Sequence, residues 1–127
     1  MWRMQTQRTE LLNQLPEHGW RVAGAEENLE WWAHEMWLLE SVWSPVGSRA
    51  YVTFLVDPDA PILPYDKTSR KIETVGSVMA SPDKPRERHF VENQFTLSLG
   101  QGWEEELPAF FEHLSRIRNQ NKDAGVK

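Results

Sequence analysis

Apolar residues recur at helical spacing at both ends of this chain and at strand spacing between them. Leu11, Leu12 and Leu15 form a stripe that predicts a helix over residues 6–15, closed by Pro16 and Gly19. At the other end Trp103, Leu107, Phe110, Leu114 and Ile117 follow the i, i+4, i+7, i+11, i+14 series of a helix with one apolar face. Glu104, Glu105 and Glu106 load its start with negative charge, and Arg116 and Arg118 lie towards its far end. Both signs suit the helix dipole. Pro108 is unsuited to a helix interior, so the main helix is expected to open there after one preliminary turn. Residues 120–127 are polar and expected to fray, as are residues 1–4.

The middle of the chain alternates. Trp20 and Val22 predict a short strand over about 20–25. Residues 26–35 are ambiguous, because Leu29, Trp32, Ala33 and Met36 also fit one helical face. A strand over about 36–44 is preferred, since Trp and Val suit strands and Pro45 with Gly47 signals a turn before the β-rich run Ala50–Val56. Pairing Ser44 with Arg49 across a loop of Pro45–Ser48 sets Trp43 opposite Ala50, Ser41 opposite Val52, Leu39 opposite Phe54 and Trp37 opposite Val56. That face is apolar apart from Ser41. The opposite face carries Leu38, Glu40, Val42, Tyr51, Thr53 and Leu55, a mixed set. A one-residue slip would mix the two faces. Further strands are expected over 72–80 and Phe95–Leu99, with long loops at 57–70 and 82–92.

The order is helix, about five strands, helix. Short connections favour an antiparallel meander, and two amphipathic helices need one face of it to cover. The expected fold is an α+β two-layer sandwich, one domain over residues 1–127, with both helices on one face of the sheet.

Composition narrows the function classes. Seven tryptophans supply bulk, and Trp37, Trp43, Phe54, Trp103 and Phe110 are the expected core aromatics. The absence of cysteine excludes disulfides, thiolate metal sites and cysteine nucleophiles, and it fits a reducing, cytoplasmic setting. A net charge of −5 disfavours nucleic acid and anionic membranes as partners. No apolar run is long enough to span a bilayer, and the first residues are too polar for a secretory signal. No cofactor or metal motif is present, and no serine lies in a Gly-x-Ser-x-Gly context.

Antiparallel order sorts the candidate polar residues by sheet end. His34, Glu35, Asp57 and Asp59 share one end, with Glu26 and Glu27 near; they offer a weak acid/base or cation site, although Asp57-Pro58-Asp59 also reads as turn chemistry. Lys84, Arg86, Arg88, His89 and Arg49 share the other end, as an anion site or simply a solvated loop. His18 and His113 read as boundary residues. Leu38, Val42, Tyr51 and Leu55, extended by Trp32, would leave an apolar patch on the face away from the helices. The leading expectation is a non-enzymatic protein-interaction module that docks a partner or itself through this face or a sheet edge. Its rival is a small-molecule binder or hydrolytic enzyme centred on His34, Asp57 and Asp59.

Overall fold

The computed structural model describes the backbone of residues 4–30, 33–56, 75–85 and 94–125. Helix α1 (Met4–Gln14) and a 3-10 turn (Pro16–His18) lead into strands β1 (Trp20–Glu30), β2 (Ala33–Ser41), β3 (Arg49–Val56), β4 (Val75–Ser81) and β5 (Phe95–Ser98). A second 3-10 turn (Trp103–Glu106) precedes helix α2 (Leu107–Gly125). The strands form one antiparallel meander in chain order, with both helices packed against it. The α+β class and the meander are therefore as the hydrophobic pattern predicts.

One face of the sheet carries the main core. Trp20 and Val22 of β1, Trp37 and Leu39 of β2, Ala50, Val52 and Phe54 of β3, Val78 and Ala80 of β4 and Leu97 of β5 pack with Leu11 and Leu15 of α1 and with Leu107, Phe110, Leu114 and Ile117 of α2. Trp37 meets Phe54 edge to face at 4.8 Å, a favoured aromatic geometry. The α2 stripe is buried throughout, and Pro108 stands in the first turn of α2 behind one 3-10 turn, where its missing N–H is harmless.

Beyond shifts of a few residues at the ends of α1 and β4, boundaries and register differ from expectation in four places. Within the ambiguous stretch 26–35 the described residues are strand: β1 runs to Glu30 and β2 starts at Ala33. β2 ends at Ser41 rather than near 44. Its register with β3 is displaced by four residues, so that Leu39 faces Ala50 instead of Phe54, and Trp37 faces Val52 instead of Val56. An even slip keeps every side chain on its face, so the facing pattern survives while the partners change. The helical backbone of α2 continues to Gly125, past the expected fray point at 120.

The displaced register comes from the connection. Ser41 N–H donates to Ser48 O, and Gly47 N–H donates to Ser41 O. The Ser41 hydroxyl donates to Trp43 O at 2.7 Å, and the Ser48 hydroxyl to Pro45 O at 2.7 Å. These bonds close a turn over 42–48, not 45–48, and Gly47 takes the left-handed φ of 88° within it. Val42 N–H donates to Gly19 O, away from β3. Trp43 therefore leaves the core: it is 49% exposed and its ring covers Gly19, where a Cβ would lie 2.3 Å from Trp43 Cδ2. Gly19 also has φ 80°, so glycine is required there twice over.

Candidate functional site

At the first sheet end, β2 points Glu35 to the helix-facing side beside Trp37, and α1 lowers Arg8 onto it. Arg8 Nε donates to Glu35 Oε1 at 2.8 Å and Arg8 Nη2 to Oε2 at 2.7 Å. Trp37 Nε1 donates to Oε2 at 2.7 Å, and the guanidinium lies 5.4 Å from the Trp37 ring. Burial alone would raise the Glu35 pKa; the hydrogen bonds from Arg8 and Trp37, with the charges of Arg8 and His34, outweigh it and lower the pKa. A carboxylate held in this way is ionised and engaged at both oxygens, which suits a structural tie better than proton transfer. Gln7 Nε2 adds a buried bond to Leu99 O at 2.8 Å, fixing α1 to the far side of the sheet. His34 is half-buried in β2. Asp57 and Asp59 lie outside the described residues, as does any meeting between them and His34. Among the described residues no three His, Asp or Glu side chains gather as a metal site.

At the second end, the described cations are drawn to carboxylates on different strands. Lys84 Nζ lies 3.2 Å from Glu26 of β1, and Arg49 Nε lies 3.8 Å from Glu40 of β2, which also pairs with Arg21. Arg86, Arg88 and His89 lie outside the described residues.

The face away from the helices is less open than its sequence suggests. Met36, Thr53, Leu55 and Met79 are buried there, and Leu55, Met79 and Ala33 form a small cluster of their own. Leu38 and Tyr51 are half-buried and directly opposite one another. They line a cavity of about 310 Å³ with Gly24, Ala25, Glu26, Met36 and Lys84. Thus Leu38 and Tyr51 share a groove that the Glu26–Lys84 pair also lines. Val42 does not join them: it is 52% exposed in the hairpin connection. Trp32 lies outside the described residues.

Val42 instead borders a second cavity, of about 300 Å³, on the helix side of β1. Leu12, Leu15, Pro16, Trp20, Arg21 and Val22 complete its lining. Beside it Trp43 and Val46 are also exposed, so the hairpin connection presents an apolar tip.

A further arrangement escaped the sequence reading. Arg118 is 5% exposed and lies between two indoles, 4.4 Å from the Trp20 ring and 5.0 Å from the Trp43 ring. Its Nη2 donates to His18 O at 2.7 Å and to Gly19 O, and His18 stacks on Phe111 at 4.1 Å. Among the described residues no carboxylate pairs with Arg118, and its Nε has no acceptor. Burial lowers its pKa from the ordinary arginine value. Since α2 runs to Gly125, Arg118 sits well inside the helix and does not cap its negative pole. Its spacing from Phe111 and Leu114, seven and four residues, places it on the buried stripe; that was the available signal.

Comparison with protein-family models, with curated proteins and with solved structures gives no match for this chain.

Proposed function

We propose that this chain is a non-enzymatic protein-interaction module, working in the cytoplasm, that docks a partner along the β1 side of its sheet. The observation that carries this reading is the groove of Leu38, Tyr51 and Met36 framed by Glu26 and Lys84. An apolar floor with a charged rim is the usual composition of a protein-docking patch. The described carboxylate best placed for acid/base work, Glu35, is already bonded at both oxygens by Arg8 and Trp37, which favours binding over catalysis. The net charge of −5 favours a protein partner over nucleic acid or an anionic membrane.

The reading is tested by placing the photo-reactive residue p-benzoylphenylalanine at Tyr51 and, as control, at exposed Glu112 on α2. Irradiation in native extract is expected to give discrete intermolecular adducts from position 51 and none from position 112. Only intramolecular products at position 51, from a chain that sediments as a monomer, would remove the proposal.

A further inference from the structure

The two cavities lie on opposite faces of the sheet and both border β1. β1 pairs with β2 on one side and with no described strand on the other. Arg21, Ala23, Ala25 and Glu26 are exposed along it. The ladder is irregular between Val22 and Gly24: Val22 faces Leu39, whereas Gly24 faces Leu38. One extra residue, Ala23, thus turns the strand over, as a bulge does. Trp20 and Val22 look towards the helices and line the cavity shared with Leu12, Pro16 and Val42. Gly24 and Glu26 look the other way and line the cavity shared with Leu38 and Tyr51.

An unpaired edge strand is a template for another chain. An added strand would send successive side chains to opposite faces. We propose that β1 accepts an extended segment of a partner protein as a sixth strand, with one apolar side chain entering each cavity and the two an odd number of residues apart. Main-chain bonds then supply affinity and the two cavities supply selectivity. Glu26 already pairs with Lys84, but the second half of β1 adds Glu27 and Glu30 and no basic residue, so the segment carries Lys or Arg beside that half. A second copy of this chain fits less well. Its β1 would offer Trp20 and Val22, which pack in its own core, and the same three glutamates.

This inference rests on the docking reading above and specifies its mode. The test pans a displayed library of random peptides, each about as long as β1, against the full chain. Enriched peptides are expected to share a basic residue and two apolar residues at odd separation. A synthetic enriched peptide N-methylated at the amides that face β1 should bind about tenfold weaker or worse, while methylation of the intervening amides leaves affinity within about twofold. Gly24→Leu should also weaken binding about tenfold by filling the outer cavity. A Cβ at Gly24 would sit 4.0 Å from Leu38 Cβ, an ordinary contact, so the variant is expected to fold. No such enrichment, or binding indifferent to both N-methylation and Gly24→Leu, overturns the added strand. So does a dimer at micromolar concentration that Gly24→Leu dissociates, which would assign the edge to a second copy. Tyr51 adducts that persist while the peptide test fails would leave the docking reading standing without its strand; loss of both results removes both.

Discussion

Arg8 and Arg118 occupy equivalent places on two helices and solve the same problem differently. Each lies on its helix's apolar stripe, Arg8 three residues before Leu11 and Arg118 four after Leu114. Each sets its guanidinium against tryptophan. Arg8 meets a fully buried carboxylate in a two-pronged pair. Arg118 meets carbonyl oxygens and two indole faces, with no carboxylate among the described residues. A buried ion pair is costly to break from one side, because the remaining charge is stranded. A cation held by carbonyls and rings strands no charge when it is removed. The two sheet ends should therefore respond unequally to loss of their arginine, strongly at Arg8 and weakly at Arg118.

The largest expected effect tests the core on which both arrangements stand. Trp37→Ala and Phe110→Ala should each cost about 3–5 kcal/mol in denaturant unfolding. Both side chains are at most 1% exposed, and Trp37 additionally donates to Glu35. Unchanged midpoints would mean that the helix-facing side has been misassigned. Next, Arg8→Met should cost about 3 kcal/mol by leaving Glu35 buried without its cation; a loss below about 1 kcal/mol, as for a surface pair, would erase the contrast with Arg118.

Acid sharpens the same contrast. The Glu35 pKa is lowered in the folded chain, so its stabilising contribution is complete above the unfolded-state glutamate value, about 4.3, and is lost as pH falls through the lower folded value. Chemical denaturation from neutral to acid pH should show this loss. Glu35→Gln should flatten that part of the profile, whereas Arg118→Met should leave it unchanged. A profile unaltered by Glu35→Gln would show that other carboxylates set the acid limit.

Gly19→Ala should cost about 1–2 kcal/mol, since it strains a left-handed backbone and displaces the Trp43 ring from above it. Trp43 fluorescence should shift with it; an unmoved spectrum would mean that the ring does not rest there in solution. The smallest effect is expected for Arg118→Met, within about 1 kcal/mol of neutral in either direction. A loss as large as that of Arg8→Met would require an unrecognised anion against Arg118.

Periodicity exposed the helix stripes, the alternation of β2 and β3 and the meander, because each depends on local spacing. The hairpin register was not legible to the same degree. Alternation fixes which face a residue takes, and pairings that differ by two or four residues satisfy it equally. The choice was made by Ser41, Ser48 and Gly47, whose turn bonds draw Val42 and Trp43 out of the strand. Glu35 was visible as an acid near one sheet end, but its partner comes from α1, 27 residues away. Arg118 finds its acceptors 100 and 99 residues away. Such ties have no local signature beyond a charged residue standing on an apolar stripe. The reading of Arg118 as a dipole partner gave way because the helix continued past it.

Ala23 is a surplus residue in its ladder. Without it Val22 would still oppose Leu39 and Gly24 would still oppose Leu38, with ordinary alternation between them. Its excision therefore shortens the paired 20–27 stretch of β1 and inverts nothing downstream. The cut would straighten the margin of the sheet and relax its added twist, while Ala25 kept its place opposite Trp37 and Glu27 its place opposite Glu35.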